Sequence, residues 1–472
     1  MATGWLGDPV MNSSHTLVQK YPPGFRARRG LNWVILGLMY GSYYMCRYNF
    51  RWAAPGMEAE FGFNDTQITG MLSAWSLAYG TGQLINGLFC DRIGGRTSML
   101  IGALGTIAVN LAFGFASFTG TFTTFALIWL MNGYLQSFGA PGMIKINAAW
   151  FNRNERGTFA GIFGFMIQLG QVGINNLAPL VLAGFSIGTW VVAKDDWRWL
   201  FRLPPLVTAL VALLVALVPK ETPEQAGYRG CIKDESDAGG EHTENVRVNL
   251  KECFITIFRH PLVWFYALAY ACTGAVRHSS DQLSVLFFDQ YLHIDLAAKP
   301  RSVTWTMNIV PLIAVLGSLI SGVVSDKFFR GHRSPVAMGL YFMVALVCGL
   351  AAVLMWSGQF APSTMGVFLS CTFLILVSFS VNATHSLVGA AAPMDIGGRR
   401  MAGFASGVID SFQYYGAAVV LPVTGWLIDH YGWGTWYPTM VLFGIVGGGA
   451  MLFVMIKQRR LRASAAAPAK PR

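Results

Sequence analysis

The stretch YGSYYMCRYNFRWAAP, Tyr40 to Pro55, decides how the chain is read. It continues an apolar run that begins at Leu31 and carries Arg47 deep inside it. An arginine at the centre of a membrane helix costs roughly 2.5 to 3.5 kcal/mol on insertion scales, so such a residue faces an interior cavity and meets a partner or a ligand. The second half of the chain repeats the arrangement. Leu262 opens an apolar run, and FYALAYACTGAVRHSSDQL places Arg277 about as far into it. Two guanidinium groups at matching depths point to one anionic ligand held between two pseudo-symmetric halves.

The composition agrees with a membrane protein. Of 472 residues, 54% are hydrophobic and 12% charged, against about 25% charged in soluble domains. The mean hydropathy is +0.46. No cleavable signal peptide is read, because the first 30 residues are polar and basic and the first apolar run is long enough to span. The seven cysteines show no CxxC pair or metal-like spacing, and Cys46, Cys272, Cys348 and Cys371 read as small core residues. The net charge of +11 is explained by topology rather than by nucleic acid.

Twelve helices are expected, near 31–54, 67–89, 97–117, 121–150, 156–184, 199–219, 261–293, 303–325, 335–356, 363–391, 401–428 and 434–457. The fold class is all-α: twelve transmembrane helices in two six-helix halves. The expected divisions are a leader at 1–26, a first half at 27–219, a linker at 220–258, a second half at 259–457 and a tail at 458–472. Cations gather in alternate loops: Arg92 and Arg96, Arg153 and Arg156, Lys327, Arg330 and Arg333, Arg399 and Arg400, and in the tail Lys457, Arg459, Arg460 and Arg462. Opposite loops are acidic or nearly neutral, with Glu58, Glu60 and Asp65 after the first span. The positive-inside rule puts both termini, leader, linker and tail in the cytoplasm. CDRIGGRTS (90–98) and SDKFFRGHRS (325–334) share an aspartate followed by a cation, a short turn and further cations. The halves are therefore read as parallel repeats with a site at their interface near the midplane.

Several motifs resemble one family. GLFCDRIGGRTSML (87–100) is similar to the signature loop of the major facilitator superfamily. YYMCRYNF in span 1, FNRNERGTFAGIFG after span 4, DWRWLFRLP before span 6, PKETPEQAG after it and SDKFFRGHR after span 8 resemble its organophosphate:phosphate antiporter family. That family includes glycerol-3-phosphate and hexose-phosphate transporters and a related sensor. The resemblance implies that Arg47 and Arg277 bind the phosphoryl group and that Tyr40, Tyr44 and Tyr79 line the site. The chemistry agrees: a guanidinium stays charged, and its planar fork meets phosphate oxygens bidentately. The chain departs from the family's glycerol-3-phosphate transporter at three cationic positions, where it has Tyr48, Gln83 and Ile167 with Gln168 beside it. The departures point to a less charged or bulkier ligand, with Tyr48 and Gln83 contacting hydroxyls or an aromatic group.

Other residues carry a functional and a plain reading side by side. Arg47 and Arg277 read otherwise as partners of Asp281, Asp410 or backbone carbonyls. Asp281, one turn beyond Arg277, is expected to pair with it in the empty site. His278 either senses phosphate protonation or packs. Gln413 and Tyr414 of DSFQYYG read as cavity lining, and Asp410 as structural. Lys145 reads as snorkelling to the interface, and His385 as a hydrogen-bonded core residue. Asp91, Arg92 and Arg96, with the matching Asp326 and Lys327, read as gate residues at helix ends. No catalytic constellation, cofactor motif or metal site stands out, so the chain does not read as an enzyme. The expected function is exchange of an organic phosphate for inorganic phosphate by alternating access in a bacterial inner membrane, as a monomer with only the bilayer and its small anions as partners. The alternative is a membrane sensor of sugar phosphate that signals to a kinase. A proton-coupled carrier of an uncharged solute ranks below both, because it leaves two arginines without an anion.

Overall fold

The computed structural model describes residues 21–116, 119–232, 259, 261–329 and 332–466. Most of the expected leader, residues 233–258 of the linker, the end of the tail, Arg330, and the side chains of Arg153, Arg156, Arg399, Arg400 and Arg462 lie outside the description.

Helices α1 (Phe25–Phe61), α2 (Asp65–Ile93), α3 (Gly95–Phe115), α4 (Phe122–Gln136), α5 (Gly139–Trp150), α6 (Arg153–Leu182) and α7 (Trp199–Leu217) pack on one another. So do α8 (Pro261–Gln290), α9 (Arg301–Phe328), α10 (Arg333–Trp356), α11 (Thr364–Tyr431) and α12 (Trp436–Ala466). A short antiparallel hairpin, β1 (Phe185–Ile187) with β2 (Trp190–Val192), joins α6 to α7. The two sets meet through α1 on α8, α2 on α11 and α6 on α9.

Two expected spans take a different form. The helix expected at 121–150 breaks at Ser137–Phe138 into α4 and α5. Pro141 has no N–H to offer the Ser137 carbonyl, and the Ser137 hydroxyl turns back to the Tyr134 carbonyl at 2.6 Å. The spans expected at 363–391 and 401–428 form one hydrogen-bonded run, α11. It is not straight. The Tyr270 hydroxyl lies 2.8 Å from His385 Nδ1 and 3.4 Å from Asp410 Oδ1. Those residues would stand about 37 Å apart on a straight helix at 1.5 Å per residue. α11 therefore doubles back, and its two limbs act as separate spans.

Seven helical segments among the described residues are long and apolar enough to cross a membrane by composition alone, from α3, α6, α7, α9, α10, the first limb of α11, and α12. α1 and α8 are less apolar because they carry the polar residues of the site. Large apolar side chains such as Leu104, Leu210 and Leu346 face outward, as a lipid-facing surface requires.

α1 and α8 run in parallel: Arg51 meets Asp281, and further along Glu58 meets Gln290. The end of α12 lies by the start of α8, where Gln458 donates to the Tyr266 hydroxyl at 3.2 Å. The ends of α1 and α12 nearest the two termini thus share one face, called here the termini face. On it the first linker residues dock against the helix ends. Asn32 and Lys220 exchange two hydrogen bonds, at 2.8 and 3.0 Å, and Glu221 accepts from the Arg96 N–H at the start of α3 at 3.0 Å. α2 begins at the far face with a reciprocal cap between Asn64 and Gln67.

Each arginine-bearing helix crosses a neighbour at glycine. A Cβ at Gly170 of α6 would collide with the Gly41 carbonyl of α1. A Cβ at Gly274 of α8 would collide with the Gln413 carbonyl of α11, and one at Gly416 with the Ala271 carbonyl. Such crossings bring backbones close. They fix α1 and α8 in equivalent seats, one in each half.

Candidate functional site

A cavity of about 640 Å³ lies between the halves. Its walls come from the parts of α1, α2, α5, α6, α9 and α11 nearest the termini face, with Arg277 of α8 at its depth. Among the residues expected at the site, Tyr40, Tyr44, Gln83, Arg277, Gln413 and Tyr414 border it.

Arg277 is held by a closed ring of polar side chains. Its Nη1 is 3.4 Å from Gln413 Oε1 and 3.5 Å from His385 Nε2. Gln413 Nε2 donates to Asp410 Oδ1 at 2.7 Å, and Tyr270 joins Asp410 to His385. The long contacts on Nη1 leave the fork oriented yet weakly engaged. Its Nε has no hydrogen-bond partner and stands 3.9 Å from Asp281 Oδ2. A buried guanidinium so lightly partnered is suited to an anion.

Arg47 is placed differently. It is buried and sits one aromatic layer behind the wall, its guanidinium 4.7 Å from the Tyr44 ring centre and 4.5 Å from those of Trp75 and Tyr79. Its Nε donates to Gln136 Oε1 at 3.1 Å. Gln136 is fixed in turn by an amide ladder: its Nε2 donates to Asn132 Oδ1, as does Asn110 Nδ2, and Asn49 donates to Asn110. The ladder turns Nε away from the cavity and leaves both Nη atoms without a hydrogen bond among the described residues. Aromatic faces stabilise the cation without using its donors. Tyr79 stacks on Trp75, lies 4.5 Å from the Tyr414 ring, and its hydroxyl is 3.0 Å from that of Tyr40.

The other expected residues fall around this centre. Tyr48 is buried between the Tyr44 ring and Arg51, away from the cavity wall. His278 leans on Tyr414 at 5.3 Å, with Nε2 unpartnered. Lys145 does not reach the cavity; its Nζ donates to the Cys90 and Asp91 carbonyls at the end of α2, both at 3.0 Å. Asp91 lies 3.9 Å from that same Nζ, within its own half. Arg96 Nε donates to the Val215 carbonyl. Among the described residues, none of Asp91, Arg92, Arg96, Asp326 and Lys327 forms an ion pair between the halves.

Closure between the halves is found instead at the far face. Asn175 Nδ2 donates to the Met307 carbonyl at 2.6 Å, and Ser73 Oγ to that of Ala418. Gln290 Nε2 donates to Glu58 at 2.8 Å and to Asp65 at 3.2 Å, while Trp433 donates to Gln290. Asp429 accepts from the Asp65 and Thr66 N–H groups. Glu58 and Asp65 lie beyond the expected spans. Burial and neighbouring carboxylates push Glu58 up to about 8 and Asp65 up to about 6.

Sequence reasoning passed over Arg51, Gln136, Asn175 and Tyr270, and gave Asp410 and His385 only structural roles. Arg51 had a readable signal: it lies four residues beyond Arg47, on the same helical face. Gln136 and Asn175 are single amides in apolar runs, where only the neighbours in space reveal a role.

A sequence model of the major facilitator superfamily matches residues 36–420. The chain is 26% identical over 457 residues to the glycerol-3-phosphate transporter of Haemophilus influenzae, covering 92% of this chain and 93% of that one. It is also 26% identical over 425 residues to the membrane sensor protein UhpC of Salmonella typhimurium, covering 89% and 88%. In fold it is similar to a bacterial homologue of the human lysosomal transporter Spinster, in an inward-facing, unoccupied conformation. That likeness has a TM-score of 0.70 at 15% identity and covers 94% of this chain and 99% of the other.

Proposed function

The chain belongs to the major facilitator superfamily and is a multi-pass integral membrane protein; we propose that it is a secondary carrier of an organic phosphate, of the sugar-phosphate or glycerol-phosphate type, in exchange for inorganic phosphate. The observation that carries the reading is Arg277, lightly held at the depth of the cavity, with Arg47 one aromatic layer away in the other half. Relatives named for glycerol-3-phosphate transport along nearly the whole length support the substrate class. The phosphoryl group meets the Arg277 fork first. Rocking of the halves then parts Tyr44 from its neighbours and brings the Arg47 fork onto the remaining oxygens. Gln83, Gln413 and Asp410 face the rest of the ligand and can bond its hydroxyls. Such exchange needs only a site that is reached from one face at a time.

The termini face is read as cytoplasmic, from the cations on its loops, in a bacterial inner membrane. A reporter fused after Arg229 should then be cytoplasmic, and periplasmic labelling there would overturn this orientation. Transport is tested by counterflow in proteoliposomes loaded with inorganic phosphate: external labelled phosphate should accumulate transiently and be displaced by an organic phosphate. The similarity to a protein named as a sensor gives a second reading that uses the same site. Ligand binding without counterflow would favour it.

A further inference from the structure

We infer that Arg51 is a latch that holds the far face of the protein shut, and that it acts with Asn175 as one unit. The inference rests on the reading of the chain as an alternating-access carrier and is independent of which anion it carries.

Arg51 is 1% exposed and takes no part in the cavity wall. Its two terminal nitrogens are divided between the halves. Nη2 donates to Asn175 Oδ1 of its own half at 2.6 Å, and Nη1 donates to the Asp281 carbonyl of the other half at 2.7 Å. Trp52 Nε1 donates to the same Asn175 oxygen at 3.2 Å, which fixes the amide. The amide nitrogen of Asn175 then reaches the Met307 carbonyl. Arg51 and Asn175 thus form a two-pronged donor that grips α8 with one prong and α9 with the other.

Both acceptors are main-chain carbonyls within helices. The Asp281 carbonyl keeps its bond along α8 and offers Arg51 its second lone pair. The Met307 carbonyl stands four residues before Pro311, which has no N–H, so α9 makes no bond there to lose. The grip can be broken without unwinding α8 or α9. Once the face opens, water replaces the lost acceptor. The grip is therefore reversible. A carboxylate partner at this depth would be far harder to part from the cation. The Tyr48 ring, 4.9 Å from the guanidinium centre, supports the charge on the cavity side, and Nε has no partner.

The position gives the latch its leverage. Arg51 lies one turn beyond Arg47 on α1, and Asp281 one turn beyond Arg277 on the parallel helix α8. A movement that draws the two anion-binding arginines together on the cavity side, pivoting between the level of Arg47 and Arg277 and the level one turn beyond, tilts α1 against α8 and pulls the Asp281 carbonyl away from Arg51. Arg51 is a positioning residue: it holds the two halves and does not touch the anion in this state.

The test uses the full chain carrying Ala54→Cys. Ala54 is buried on α1, three residues beyond Arg51 toward the far face. Alkylation of that position in purified protein by a water-soluble maleimide is followed by mass spectrometry. Loss of a charge-assisted hydrogen bond at the latch, by Arg51→Gln, should speed the labelling about tenfold. Asn175→Ala keeps the arginine charge and should do the same, so it decides the matter if Arg51→Gln does not fold. Binding of inorganic phosphate should change less than about threefold, while phosphate exchange in proteoliposomes falls about tenfold or more, because the loss is in interconversion and not in the site. Equal labelling with and without the latch residues overturns the inference. So does a loss of phosphate binding in Arg51→Gln as complete as in Arg47→Lys, since Arg51 would then be an anion contact. Labelling needs no ligand, so a failure of phosphate to bind the Arg51-intact protein would count against the substrate reading alone.

Discussion

Arg277 carries its counter-charge one turn away, with its Nε 3.9 Å from Asp281 Oδ2. The pair is too long for a hydrogen bond, and in the proposed exchange an incoming anion competes with the carboxylate for the same guanidinium.

Asp281→Asn removes that competitor and leaves the backbone carbonyl used by Arg51 in place. The pair is buried, so removing the carboxylate leaves a buried cation for the anion to neutralise, and affinity for inorganic phosphate should rise about fivefold or more. Calorimetry on purified protein measures it, and a fall in affinity would mean that Asp281 orients Arg277 more than it occupies it.

Gln136→Glu tests the orientation of Arg47. The substitution is nearly isosteric and places a carboxylate 3 Å-scale close to Nε, where the amide oxygen now stands at 3.1 Å. The new ion pair should cut anion affinity by about tenfold or more, while loss of the Nε2 donations to the Tyr43 and Cys46 carbonyls and to Asn132 lowers thermal stability. Unchanged affinity would place Arg47 outside the anion site.

The far face should respond to pH. Burial, then Asp65, raises Glu58 from its ordinary 4.5 to about 8, and burial, then Asp429, raises Asp65 from 3.8 to about 6. A raised carboxylate favours the folded state while protonated, so its contribution is full below the ordinary value and lost as pH rises through the raised one. Tm should fall between about pH 4.5 and 8 and be flatter over that window in Glu58→Gln. An identical slope in the variant would remove Glu58 from the pH response.

Gly274→Val should destabilise by about 1–3 kcal/mol, since its branched side chain meets the Gln413 carbonyl where α8 crosses α11. Gly349→Val, which meets nothing within 4 Å, is the control. Equal Tm values for the two would show that the crossing is not close-packed.

The depth of Arg47 and Arg277 was legible because an arginine in an apolar run has few places to go. The membrane class followed from composition, and the pairing of the halves from the repeated loop. Three features were not legible. The break at Ser137 depends on Pro141 and on the Tyr134 carbonyl together. The polar ring joins α8 to both limbs of α11, more than a hundred positions further along the chain, and nothing local distinguishes His385 or Tyr270 from core residues. The closure between halves was sought among charged helix ends on the termini face, whereas the structure closes on the other, with amides, carbonyls and the buried Arg51. The carboxylates of Glu58, Asp65 and Asp429 there meet amide and backbone N–H groups rather than cations. Amide-to-carbonyl bonds leave no charge pattern in a sequence.

The most direct test of the two-arginine site is calorimetry with inorganic phosphate on folded Arg47→Lys, Arg277→Lys and the double variant. Lysine keeps the charge and loses the bidentate fork. A charge-assisted hydrogen bond contributes about 1.5–3 kcal/mol, so each single change should weaken binding about ten- to a hundredfold. The double variant should lose less than the sum, because both arginines act on one ligand. If Arg277→Lys binds phosphate as tightly as the unaltered protein, the account is contradicted and Arg277 is a structural partner of Asp281.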